Sequence, residues 1–331
     1  MSEPVLWLTE RDVVSLVTLD DAIAALERAV AASGAFNVPK ALAGFDDGSS
    51  MHSLGSAAPA LGWAGYKNWV HTKRGATALY VLFDSRVGAV RAVIEAGALG
   101  QLRTAAMTGL GTRWLAPPQA TEMALVGTGL QALTQVAAVN AVRPLRTVRV
   151  FSPTAEKRRA FVETLRRRFD FSVRECDGVA AATDGAPIVT LVTRAREPFL
   201  SAAMLAPGAH LNAVGAILPQ NAEFQPDVFE RAAEIVVDDL PNVQKASREF
   251  VEHFGPAGDW SRLRTIGAVV AAGRSPRAAS TDVTLFKAMG MGLSDLAVAM
   301  MAYERARTRG LGREIPAPER AVPTWKGDRA G

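Results

Sequence analysis

The sequence predicts an α/β protein: a helix-covered parallel sheet of dinucleotide-binding type, inserted into an α+β unit built from both ends of the chain. Three observations predict it. From Thr121 short buried strands alternate with amphipathic helices, the pattern of a parallel sheet covered on both faces. A glycine-rich turn separates the first of these strands from the helix that follows. Before residue 117 the pattern is that of an antiparallel block, and after 281 it returns to one long helix. With 331 residues, 49% of them hydrophobic and 21% charged, the chain can bury the core of two domains.

Taken in order, residues 8–34 (LTERDVVSLVTLDDAIAALERAVAASG) place apolar side chains three and four apart, with Asp20 and Asp21 as an acidic start and Gly34 as a stop. They read as one helix. Segments 62–70, 78–84 and 89–95 are short and rich in β-branched or aromatic residues, with SRVG as the turn between the last two, and read as antiparallel strands. RTAAMTGLGTRWLA, following Leu102, reads as a helix that ends at Pro117 and Pro118. TEMALVG, LQALTQVAAVNAV, TVRVFS and AEKRRAFVETLRRRF then supply strand and helix in alternation, and FSVREC, PIVTLVT, AHLNAVG and EIVVDD supply further strands. SDLAVAMMAYERARTRGLG is a long helix, followed by the Pro-rich IPAPERAVP. The expected division is residues 118–280 for the parallel sheet and 1–117 plus 281–331 for a substrate and dimerisation unit.

Composition also excludes classes of function. The net charge of +4 could suggest nucleic acid, but the densest basic run, 158–169, interleaves arginines with Phe161, Val162, Leu165 and Phe169 at helical spacing. That is a solvated helix face, so no nucleic-acid partner is expected. His52, His71, His210 and His253 are scattered without metal-ligand spacing, and Cys176 is the one cysteine, so no metal and no internal disulfide are expected. The first residues carry acids and lack a basic start, which points to a cytoplasmic protein. Residues 123–142 hold no charge over a bilayer-spanning length. Two glycines, two glutamines and an asparagine interrupt them, so the expectation is a strand and helix buried against a sheet, with no membrane partner.

Within that stretch Gly127, Thr128, Gly129, Leu130, Gln131 and Ala132 form a G-x-G-x-x-A turn directly after a strand and before a helix. Gly127 permits the tight turn, Gly129 lets the backbone approach a pyrophosphate, and Ala132 lets helix and sheet pack closely. The pyrophosphate would sit on the helix N-terminus. At the end of the next strand, where NAD sites place an acid for the ribose, stands Ser152, followed by Thr154, Lys157, Arg158 and Arg159. Hydroxyls and cations suit a 2′-phosphate, so NADP(H) is expected over NAD(H).

AGALGQLRTAAMTGLGTRWLA at 96–116, VGTGLQA at 126–132 and TDVTLFKAMGMGLSDLAVAMMAYERARTRGLG at 281–312 together resemble the ornithine cyclodeaminase/mu-crystallin family, in the right order over almost the whole chain. The resemblance implies a homodimer with a Rossmann domain inserted into a substrate and dimerisation domain, whose antiparallel blocks pair across the dimer. It implies a nicotinamide cofactor used on an imino acid or amino acid substrate. Its carboxylate-binding positions fall on Lys40, Lys67 and Arg103, with Lys67 and Arg103 expected to be catalytic. An unpaired Lys67 in so apolar a strand would be costly, so it needs an anionic partner, for which substrate is a candidate. Thr77, Met289 and Gly290 are expected near substrate. Thr104, Thr193, Val214, Gly215 and Lys287 are expected near cofactor, beside the Gly127 turn.

One departure limits the chemistry. Ornithine cyclodeaminases carry an aspartate where this chain has Ile217, and no acid occurs between His210 and Glu223. An aliphatic chain neither binds an ammonium nor accepts a proton. The expectation is therefore NAD(P)H-dependent reduction of a cyclic ketimine such as pyrroline-2-carboxylate or piperideine-2-carboxylate. Ornithine or lysine cyclodeaminase, an amino-acid dehydrogenase and a non-catalytic NADPH-dependent carrier are the alternatives.

Overall fold

Two threonines decide how the chain begins. Thr9 and Thr18 each accept from the backbone N–H three residues on, while Asp12 and Asp21 accept in return from the backbone of Thr9 and Thr18. These are two complete capping boxes, so the single helix expected over 8–34 is instead two helices, broken where Val17 turns extended. A strand precedes them. The computed structural model describes residues 3–323, and the outermost residues of the expected first unit, 1–2 and 324–331, lie outside that range.

The first part of the chain runs β1 (Val5–Leu8), α1 (Glu10–Leu16), α2 (Leu19–Ala31), β2 (Phe36–Gly44), β3 (Ser50–Ala58), β4 (Trp63–Thr72), β5 (Gly75–Asp84), β6 (Ala89–Glu95) and α3 (Gly97–Leu115). There follow β7 (Glu122–Val126), α4 (Ala132–Val142), β8 (Thr147–Phe151), α5 (Ala155–Arg168), β9 (Ser172–Glu175), α6 (Val179–Thr183), β10 (Ile188–Leu191) and β11 (His210–Ala213). The chain ends with α7 (Val228–Arg231), β12 (Ala232–Val237), α8 (Leu240–Ala246), α9 (Arg248–Phe254), β13 (Leu263–Thr265), α10 (Ile266–Ala271), β14 (Val283–Lys287), α11 (Gly292–Arg309) and β15 (Arg313–Ile315).

These elements make two sheets. A seven-stranded mixed sheet has the order β15-β1-β6-β5-β4-β3-β2, and an eight-stranded sheet, parallel throughout, has the order β13-β12-β14-β11-β10-β7-β8-β9. The fold is α/β, with a Rossmann-like parallel sheet beside a mixed-sheet unit. From β7 the chain winds outward to β8 and β9, then returns to β10 on the other side of β7. That reversal opens a crevice at the carboxyl ends of β7 and β10, where such folds bind ligands. α2, α3 and α11 pack against one another and over the mixed sheet, and their apolar faces form one core with Leu82, Ile94 and Phe286.

Three differences from the expected layout have physical reasons. β2 and β3 carry small and polar residues with little alternation, and β2 holds Pro39 at a register shift between Val38 and Ala41; it is tolerable because β2 is the sheet edge. α3 starts at Gly97, ahead of Leu102, because Glu10 accepts from the backbone N–H of Gly97 and Ala98. β14 lies between β11 and β12, so the parallel sheet takes in residues past the boundary expected at 280/281.

Candidate active site

The turn after β7 has the geometry a dinucleotide needs. Gly127 sits at φ +113°, and a Cβ there would lie 2.7 Å from the Val192 carbonyl oxygen, so only glycine lets β7 pass β10 this closely. Gly129 faces open space, with nothing within 4 Å of where its Cβ would be, and Leu130 beside it is exposed. Gln131 caps α4 with its backbone alone. The turn thus offers unfilled room above a helix N-terminus, which fits a pyrophosphate.

The neighbouring strand ends are locked together by Glu223. One carboxylate oxygen accepts from the Thr193 backbone and hydroxyl at 2.7 and 2.8 Å, the other from the backbone of Gly215 and Ala216 at 2.9 and 3.0 Å. Burial pushes its pKa up, against Lys287 and these hydrogen bonds. Thr193 and the Val214–Gly215 pair are therefore fixed side by side at the ends of β10 and β11. Lys287 is fully buried beneath them, its ammonium donating to the Ala216 carbonyl and paired with Glu249. It supports this turn from below, in place of the direct cofactor contact expected of it.

At the far end of the crevice Ser152 is buried and Thr154 exposed. Arg158 departs from expectation: its guanidinium donates to the Ser152 carbonyl and to Glu175, and lies 5.8 Å from the Phe151 ring centre. Its charge is used inside the protein, and Lys157 and Arg159 are the exposed cations.

The mixed sheet and its helices supply the other wall. Lys67 on β4 is 4% exposed, and its ammonium donates to Asp295 on the first turn of α11 at 2.6 Å. Arg103 on α3 approaches the same carboxylate oxygen at 3.4 Å, and both its Nε and the second Asp295 oxygen lack a hydrogen-bond partner. So the anionic partner required by Lys67 is Asp295 of its own chain, a residue in GLSDLAVAMM that the sequence reading did not single out as a partner. Burial first, then the Arg103 charge, draws the Lys67 ammonium down to about 8, with Asp295 opposing. Lys40 on β2 is likewise lowered by burial and by the Arg103 charge.

Met289 and Gly290 join this cluster from the end of β14 in the parallel sheet. Their backbone N–H groups donate to Asp238 at 3.0 and 2.7 Å, and burial raises that carboxyl to about 6. A Cβ on Gly290 would lie 2.9 Å from Arg103 Nη1, at φ +88°, so glycine again makes room where the end of β14 meets α3. Thr104 follows Arg103 on α3, with its hydroxyl donated to the Gly100 carbonyl. Ile217 lies past the end of β11 and is 39% exposed.

Thr77 is not brought in. It pairs with Val70, whereas Lys67 pairs with Tyr80, so Thr77 points from the opposite face of the sheet. There it borders a groove of about 750 Å³ with Met51, Asn68, Val70, Leu79 and Val81. Among the described residues no helix is long and apolar enough to cross a membrane, and no group of three or more His, Cys, Asp or Glu is placed to hold a metal.

Comparison with known proteins agrees with this arrangement. The sequence profile described as "Ornithine cyclodeaminase/mu-crystallin family" matches residues 53–310. The ketimine reductase mu-crystallin of Mus musculus is 31% identical over 224 residues, 68% of each chain. Delta(1)-pyrroline-2-carboxylate reductase of Bacillus cereus is 29% identical over 247 residues, 73% of this chain and 75% of that one. Among solved structures, an archaeal alanine dehydrogenase dimer with bound NAD superposes with a TM-score of 0.85 at 25% identity, covering 95% of this chain and 99% of that one.

Proposed function

The chain belongs to the ornithine cyclodeaminase/mu-crystallin family, and we propose that, as an NAD(P)-dependent oxidoreductase of that family, it reduces a cyclic ketimine carboxylate to the amino acid. One observation carries the reading: Lys67 and Arg103 converge on Asp295 beside the crevice of the parallel sheet, with Ile217 where a deaminase would need its acid. A preformed C=N bond requires a held carboxylate and an aligned hydride, and no second acid for an amine. Arg103 grips the substrate carboxylate, with Lys40 adding charge. Lys67, buried and protonated, supplies a proton to the imine nitrogen and is replenished from solvent. A nicotinamide held in the crevice would supply the hydride for the imino carbon. The Thr193 and Gly215 strand ends, clamped by Glu223, would hold that nicotinamide.

NADP(H) is the cofactor we propose, supported by Ser152 in place of an acid and by exposed Lys157 and Arg159. The archaeal relative carries NAD, so the comparison of Michaelis constants decides; a lower value for NADH overturns the preference. The reading includes a homodimer closed through the outward face of the mixed sheet. Purified protein is expected to oxidise NADPH with pyrroline-2-carboxylate or piperideine-2-carboxylate. Ammonia release from ornithine without any ketimine reduction would overturn the assignment.

A further inference from the structure

Beside the three cations, the inner face of the mixed sheet carries a pair of rings. α11 begins over β3, where a Cβ on Gly292 would lie 2.1 Å from the Gly55 carbonyl oxygen, so the helix covers that face around Gly55. Past Lys67, in the other direction along the strands, the same face continues as Trp69 and His52, which are register partners. Their rings stack with centroids 4.6 Å apart and planes 3° from parallel, and the Lys67 ammonium lies 5.2 Å from the Trp69 ring centre. Both residues are half-buried. Burial, then Lys40 and His71, holds the His52 imidazole below its ordinary pKa, so at neutral pH it is an uncharged flat surface.

The charge on this wall is one-sided. No Asp or Glu occurs from residue 48 to residue 83, and the carboxylate among the cations, Asp295, is bonded to Lys67. A substrate carrying a second ammonium finds no counter-charge on it. A planar ring finds an indole face next to the Lys67 ammonium.

We propose that Trp69, backed by His52, is the platform on which the substrate ring lies, and so determines specificity for planar, ring-bearing carboxylates over diamino acids. The proposal rests on the reading that Arg103 and Lys40 hold the substrate carboxylate while Lys67 faces the imine nitrogen. In an imine conjugated to its carboxylate, the ring atoms around C=N are flat, which suits an offset stack worth about three- to tenfold in binding.

The test is calorimetric titration of the cofactor-loaded protein with picolinate, a flat ring bearing a carboxylate, and with pyruvate, which lacks the ring. Trp69→Leu is expected to weaken picolinate about tenfold while leaving pyruvate within about twofold, and Trp69→Phe to keep picolinate within about threefold. Equal weakening of both ligands, failure of picolinate to bind the wild-type protein, or tighter binding of ornithine than picolinate overturns the proposal. Turnover is scored separately: wild-type protein that oxidises no NAD(P)H with any ketimine sinks the reductase reading and leaves the picolinate to pyruvate ratio to decide this one.

Discussion

In the proposed reaction Lys67 has to be buried beside the substrate and still carry its charge. Desolvation favours the neutral amine, and Asp295 at 2.6 Å is what opposes it. Because the pKa is lowered to about 8, the protonated form dominates below that value and is lost as pH rises through it. The expected kcat/KM profile for ketimine reduction therefore has an alkaline limb near pH 8. Asp295→Asn removes the opposing charge, so the limb should move to lower pH and kcat/KM should fall about 30- to 100-fold. An unchanged limb in the variant would show that Asp295 does not act through Lys67. Lys67→Met should abolish turnover while cofactor binding, measured by fluorescence titration, survives.

At the scale of the element, the Gly127 turn separates folding from binding. Gly127→Ala meets both a positive φ and the Val192 carbonyl, and should cost on the order of 2–4 kcal/mol of stability. Gly129→Ala enters open space, so it should melt like the wild type yet bind cofactor at least about tenfold more weakly, because the methyl occupies the phosphate's approach. Paired melting and binding measurements on the two variants check this. The turn was legible in the sequence because its signal is local: strand, glycines and helix are contiguous. So were β7 and β10, whose burial is written in short apolar runs. β2 and β3 were not, since an edge strand with Pro39 and its small-residue neighbour show little alternation. The break at Thr18 was hidden because apolar spacing continues across it, and only the paired Thr and Asp mark the restart. Asp295 was out of reach for a different reason: its partner Lys67 is 228 positions away, and nothing local announces the contact.

For the whole molecule, the outward face of the mixed sheet leaves Met51, Tyr66 and Val70 between 37% and 49% exposed, along one side of three adjacent strands with Leu79 and Val81. Monomers rarely leave so continuous an apolar surface in water. Sedimentation is expected to show a dimer, and Tyr66→Asp with Val70→Asp together should give a monomer; an unaltered mass would remove this face from consideration. Thr77, placed on that side, belongs to the same test.

The joint between β14 and α11 has a mechanical meaning. Four residues, Ala288 to Met291, connect the parallel sheet to the helix that carries Asp295, and Asp238 pins two of them. Fully stretched, four residues reach only about 14 Å, so the two walls cannot drift apart at this edge. The spacing between the end of β14 and the carboxylate of Asp295 is therefore set by the backbone itself, as a short tether sets the reach of what it holds.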